Sequence, residues 1–260
     1  MSSPIEGGFF KTQILSPPAS SVHSSQAPYA LPRPRSKPLR LGGSKESAVI
    51  RHIDDGILQI QRHFAQRSGN AADVDHLGGY TRFKEAGNDI EKLVDVVWVS
   101  GTPSLQVPYL LSLSLLAVDC ISGLPVSPRT MFRLLHKLDV AFASLLQGQD
   151  IDTGESLPGS EGGRTVSDTQ KVRLKGIVQR TRVAVVDVMS NGEIEEDDQE
   201  AIDMSEDVYD PSDAENPDVD LDSIGAEHVS WEMETAKVYD RTVVELGDTI
   251  GGPPIGIIVD

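Results

Sequence analysis

One cysteine, Cys120, in 260 residues excludes an internal disulfide and points to a reducing compartment. It sits in an apolar helical pattern, where a free thiol behaves as a small hydrophobe. Aromatic residues make up 5% of the chain and hydrophobic residues 38%, against 23 Gly and 16 Pro, so there is too little core-forming material to fold the whole length. The opening residues MSSPIEGGFFKTQILSPP lack both a basic start with a long apolar core and an Arg-rich amphipathic pattern. No secretory or organellar signal is expected, which leaves cytosol or nucleus.

Signatures of chemistry are missing too. There is no Gly-rich phosphate loop ending in Lys-Ser/Thr, no dinucleotide fingerprint, no His-Glu-x-x-His and no cysteine cluster for zinc. The six histidines, His23, His52, His63, His76, His136 and His228, are scattered. His52 and His63 lie eleven residues apart near one helix face, three turns that two imidazoles cannot bridge to share an ion. The stretch DIDTGESLPGSE, Asp150 to Glu161, places acids at positions 1, 3 and 12 of a calcium-loop register, but Glu155 stands at the sixth place, where the sharp turn needs Gly. It reads as an acidic interhelical loop. No catalytic, cofactor-binding or metal-ligating residue is assigned, and the expectation is a protein that is not an enzyme and takes neither cofactor nor small-molecule substrate.

Basic residues are absent from one long segment. Between Arg182 and Lys237 there is no Lys or Arg, and Glu193 to Glu234 hold eighteen acids. Removing those eighteen leaves 22 acids against 23 bases, so the net charge of −17 belongs to this segment and not to the chain as a whole. Fifteen acids fall between Glu193 and Asp222, enough either to act as a solvated spacer or to imitate a nucleic-acid backbone toward a basic surface. The first fifty residues lean the other way, with six Lys or Arg against Glu6 and Glu46. LPRPRSKPLR, with Arg33, Arg35, Lys37 and Arg40, has the composition of an import signal or a weak nucleic-acid arm. Sequence-specific DNA reading is not expected, because no aromatic platform or recognition helix accompanies it.

One run, VVWVSGTPSLQVPYLLSLSLLAV from Val96 to Val118, has no Asp, Glu, Lys, Arg or His over twenty-three residues. Ser100 to Ser104, Gln106 and Pro108 interrupt it, so it reads as two buried helices joined by a tight turn and not as a membrane span. Around it the apolar spacing is helical throughout. Ile50, Ile53, Ile57, Ile60 and Phe64 define a helix from Ser44 to about Arg67, weakened by Gly56. Phe83, Ile90, Leu93, Val94, Val97 and Trp98 face inward on a second, from about Thr81 to near Gly101. Thr102-Pro103 reads as an N-cap and first helical residue of the third, with Pro108 delaying or kinking it. Ser127-Pro128 opens a fourth, whose Met131, Leu135, Leu138, Phe142 and Leu145 step along one face until Gly148 ends it. A Ser167/Gln170 capping box opens a fifth that carries Val172, Leu174, Ile177, Val178, Val185 and Val188.

The expected fold is all-α: a bundle of about five helices over residues 44–190, ample for one core. Residues 1–43, rich in Ser and Pro, read as a disordered basic tail, and 191–225 as an acidic disordered linker. In 226–260, Val229, Met233, Ala236, Val243 and Leu246 predict one further helix that must return to the bundle or bind a partner.

The blocks DIEKLVDVVWVSGTPSLQVPYLL, PVSPRTMFRLLHKLDVAFASLLQG, VSDTQKVRLKGIVQRTRV and VYDRTVVELGD resemble the fungal family of the eleventh subunit of general transcription factor TFIIH. The likeness covers about residues 47–189 and 229–260, and its motifs are helical packing motifs without a catalytic signature. It implies a nuclear, non-enzymatic regulatory subunit within a protein complex, associated with release of the XPB-type DNA translocase from TFIIH after transcription initiation. Composition alone also admits a free-standing acidic chaperone or nucleic-acid mimic that holds basic proteins such as histones.

Overall fold

The computed structural model describes residues 30–67, 78–160, 165–191 and 231–250. The uncharged run forms the predicted helix, turn and helix: α2 (Phe83–Val99) is followed by α3 (Pro103–Gly123). Gly101 takes φ +56° in the turn, and Gln106 Nε2 donates to the Trp98 carbonyl at 2.9 Å. Thr102 precedes Pro103 as expected but does not cap α3. Its hydroxyl instead accepts the Leu39 N–H at 2.8 Å and donates to the Ser100 carbonyl at 2.9 Å. Pro108 does not delay the helix, which runs from Pro103 straight through it; one missing N–H forfeits one backbone bond. By length and a mean hydropathy of 1.5, α3 is able to cross a membrane, yet 67% of that window is buried by the rest of the chain.

Four more helices complete the bundle: α1 (Ser44–Ala65), α4 (Pro128–Gln147), α5 (Asp168–Asn191) and α6 (Asp240–Ile250). α3 is central, packing against α1, α2, α4 and α5, while α6 lies on α4 and α5. The fold is all-α; among the described residues the β features are isolated bridge positions, Gln149 with Ser156 and a further one at Val126. Helix ends follow the local chemistry. Ser167 N–H donates to Gln170 Oε1 at 2.9 Å and Gln170 N–H to Ser167 Oγ at 3.3 Å, and Gly148 closes α4 at φ +76°. Gly56, a weak point by propensity, permits a close crossing: a Cβ there would lie 2.8 Å from Leu93 Cδ2. Trp98, Phe83, Ile90, Leu110, Leu113 and Met131 are wholly buried between the helices.

A polar cluster fixes α4 on α2. Lys137 Nζ, almost fully buried, reaches Glu91 at 2.8 Å and Asp95 at 3.0 Å, and Arg133 reaches Glu91 at 2.9 Å and Asn88 at 2.8 Å. Burial opposes the charge on Lys137, but its carboxylate partners outweigh that and hold its pKa up.

The expectation for the tail changes. The basic tail is not free as far as Gly43: residues 30–43 run across the bundle, Leu39 is buried, and the Arg35 N–H donates to the Val99 carbonyl at 3.2 Å. Val172 of α5 is 66% exposed, because α5 carries apolar residues on two opposite faces. The bundle core predicts that Leu135→Asp, burying an unpaired carboxylate, costs about 3–5 kcal/mol. Thermal or urea unfolding checks it, and a variant melting within a few degrees of the parent contradicts the core assignment.

Candidate partner-docking surface

Of the residues that first suggested chemistry, His52 is exposed on α1 and several others hold structural positions. Among the described residues no group of His, Cys, Asp and Glu is placed to hold a metal ion. His63 packs edge-on against Tyr80 with ring centroids 5.2 Å apart, and His23, His76 and His228 lie outside the described residues. Burial, with Asp119 adding, pushes the Cys120 thiol up to about 12, so it is inert core. In the acidic loop, Asp150 Oδ1 accepts the N–H groups of Asp152 and Thr153 at 2.9 and 3.0 Å. Glu155 pairs with Arg33 of the docked arm at 3.3 Å, which ties two sequence-flagged segments together. Glu161 lies outside the described residues.

The C-terminal segment is where the chain makes an unusual arrangement. Residues 231–236 form a short helical stretch, Lys237 to Tyr239 turn, and α6 begins at Asp240. The single helix expected here is therefore broken, and its predicted apolar face is not the buried one. Of the predicted face Leu246 is buried as expected, Met233, Ala236 and Val243 are exposed and Val229 lies outside the described residues, while Val238, Tyr239 and Thr242 are buried in their place. The break is at Tyr239, whose φ of +56° is left-handed, a conformation that costs a bulky residue about 1–3 kcal/mol.

Burial of the ring holds Tyr239 there. It packs beside Phe142, centroids 6.3 Å apart, and its hydroxyl reaches toward Ser114 of α3 and Thr181 of α5. Both of those hydroxyls already donate to their own helix carbonyls, Leu110 at 2.8 Å and Ile177 at 2.9 Å, and the Tyr239 hydroxyl meets no partner in hydrogen-bonding geometry. Burial also raises its pKa.

Tyr239 occupies the N-cap position of α6 and has no side-chain acceptor to offer it. Asp139, a buried residue of α4, supplies one: Oδ1 accepts the Thr242 N–H at 2.8 Å and the Thr242 hydroxyl at 2.7 Å, and Oδ2 accepts the Arg241 N–H at 3.4 Å. The carboxylate thus caps a helix from 103 residues away. Burial pushes the Asp139 carboxyl up, against the pull of the Thr242 and Arg241 hydrogen bonds. Trp231 completes the attachment by stacking on Phe132, 5.6 Å between centroids and 12° from parallel.

The result is a continuous outer surface made by α5 and α6. Between them runs a groove of about 470 Å³, floored by Val178, Val243 and Leu246 and edged by Lys175, Gln179 and Arg182. The acidic stretch enters at Asn191, the end of α5, and leaves at Trp231, so both of its ends are fixed to the same bundle.

A family model described as subunit 11 of the general transcription factor TFIIH matches residues 79–247, from just before α2 into α6. The chain belongs to this family. It is 27% identical over 191 residues to the general transcription and DNA repair factor IIH subunit TFB6 of Saccharomyces cerevisiae, covering 57% of this chain and 54% of that protein. It is 28% identical over 144 residues to an uncharacterised protein of Schizosaccharomyces pombe, covering 54% of this chain and 76% of that one. The chain therefore spans about half the length of the S. cerevisiae relative. No solved structure matches it. The match to the subunit 11 family includes Asp139, Tyr239 and the whole acidic stretch, whereas α1 and the docked arm lie outside it.

Three outcomes follow from the attachment. Asp139→Ala should cost about 2–3 kcal/mol and release α6, seen as lost hydrogen-exchange protection over 240–247 with α2 and α3 unaffected. Because its pKa is raised in the fold, the stabilising contribution of Asp139 is full below the ordinary carboxylate range and is lost as pH rises through the folded value. Asp139→Asn should keep the cap and remove that slope. Tyr239→Phe should leave stability unchanged or raise it by about 1 kcal/mol, since it removes a buried hydroxyl that has no partner. A loss of 2 kcal/mol or more by calorimetry would show that the hydroxyl is bonded in solution.

Proposed function

We propose that the chain is a non-enzymatic regulatory subunit of TFIIH, acting in the nucleus, that docks on the XPB-type DNA translocase and promotes its dissociation after transcription initiation. The single observation that supports this most is the match to the subunit 11 family over 79–247, which takes in every helix from α2 to α6 together with the acidic stretch. The geometry adds a division of labour. The bundle, with the C-terminal segment locked on by Asp139 and Tyr239, supplies a specific docking surface. The fifteen acids between Glu193 and Asp222, bracketed by Asn191 and Trp231, compete for the basic DNA-facing surface of the translocase.

Once the bundle is docked that competition is intramolecular, so a weak polyanion acts at high effective concentration. Its effect falls steeply with salt, whereas docking through an apolar face does not. Replacing the fifteen acids with Asn or Gln should leave binding to the translocase intact and weaken its release from the assembly, most at low ionic strength. Unchanged release across salt concentrations would reduce the stretch to a spacer. Affinity capture followed by mass spectrometry should return TFIIH subunits; histones in their place would favour an acidic chaperone.

A further inference from the structure

The outer face of α5 is unpartnered among the described residues and has an ordered composition. Val172, Gly176, Gln179, Val183, Val186 and Ser190 succeed one another by steps of four and three, form one stripe, and are all exposed. None carries a charge. Val172, Val183 and Val186 are 66%, 70% and 52% exposed, on a face where a solvated helix ordinarily carries Lys and Glu. The steps are those of the d and a positions of a heptad, and the stripe extends for about 27 Å. Its flanking e and g positions are Arg173, Lys175, Arg180, Arg182, Asp187 and Met189, four of them cations.

Gly176 adds an independent sign. It stands in the interior of α5, where glycine is a poor helix former, and a Cβ built on it meets nothing within 4 Å. The bundle has no use for a glycine there. A second helix lying on the stripe does, because the missing side chain lets the two backbones approach.

We propose that this face of α5 is a docking seam for an acidic amphipathic helix of a partner protein. Its apolar a and d residues cover Val172, Val183 and Val186, and its flanking Glu or Asp residues meet Arg173, Lys175, Arg180 and Arg182. Charge decides the occupant. A second copy of the chain leaves cations opposed in either orientation, Lys175 to Arg180 when parallel and Arg180 and Arg182 to their own counterparts when antiparallel, with Asp187 offsetting only part, whereas an acidic helix opposes none; a nucleic acid would leave the valines in water. Arg173 and Lys175 have no ion pair among the described residues; Arg180 meets Asp119 at 3.4 Å and Arg182 the Ala236 carbonyl at 3.3 Å. The α5–α6 groove lies along the same edge and gives the incoming helix a side wall. This inference goes beyond the translocase reading and does not depend on it.

The test uses the full chain and a fluorescent three-heptad peptide with Ile and Leu at a and d and Glu at e and g, titrated at low ionic strength by anisotropy. The control is the same composition scrambled, with equal charge and no seam. The heptad peptide should bind at least about tenfold tighter than the scramble, each 1.4 kcal/mol being tenfold. Val183→Lys with Val186→Lys, exposed positions that add cations, should weaken it by a similar factor, the reverse of what charge alone would do. Reversing Arg173, Lys175, Arg180 and Arg182 to Glu should abolish it. Gly176→Ala should raise Tm by about 2–4 °C while weakening the peptide, a pair of opposite signs that helix propensity alone does not produce. Equal binding of heptad and scramble, or a Gly176→Ala chain of unchanged affinity, overturns the seam. Binding that appears only after the fifteen acids are neutralised overturns the partner, since the stretch itself would then be the occupant. A concentration-dependent dimer abolished by Val183→Lys overturns it in favour of a second copy.

Discussion

The covering of α3 is the constraint from which the rest of the bundle follows. Apolar on most of its sides, α3 gives water only the narrow stripe of Ser104, Pro108, Ser112, Leu115, Asp119 and Ser122, so its other flanks must meet other helices. α1, α2, α4 and α5 do this, and the polar groups that α3 carries inward are absorbed locally, Gln106 by the Trp98 carbonyl and Ser114 by the Leu110 carbonyl. The short turn before α3 also orders what lies outside the bundle. With its hydroxyl given to the Leu39 N–H, Thr102 draws residues 30–43 onto the surface beside Val99.

The C-terminal segment solves a different problem. It must find its place on a body already complete, after thirty-nine intervening residues. Shape and polarity act together there. The left-handed turn at Tyr239 directs an aromatic ring between α3, α4 and α5, and Asp139 satisfies the first N–H groups of α6 that the tyrosine cannot. Such an arrangement ties α6 to α4 and leaves the opposite side of α5 open. A surface assembled from both helices thus exists only while the segment is seated.

Helix positions and the all-α class were legible because the apolar spacing in α1, α2 and α4 is regular and the capping residues at Ser167 and Gly148 act locally. The misreadings share a physical cause: each depended on a distant partner. Thr102 looks like a cap until Leu39, 63 positions away, claims its hydroxyl. Residues 30–43 have no helical period, and their order comes from hydrogen bonds to the α2–α3 turn. Met233 and Val243 share a helical spacing that the left-handed Tyr239 interrupts, and no residue near Tyr239 announces that turn. Asp139, the cap of α6, reads in sequence as one polar residue on an apolar helix.

Cys120 has a practical consequence. Its sulfur is shut away between helices with its proton firmly held, so oxidants and alkylating reagents find no thiolate on the folded chain. The protein is in that respect a chemical blank. A cysteine introduced at any surface position would be its sole reactive thiol, and one dye placed on α6 would report, from its mobility alone, whether that helix is seated on the bundle.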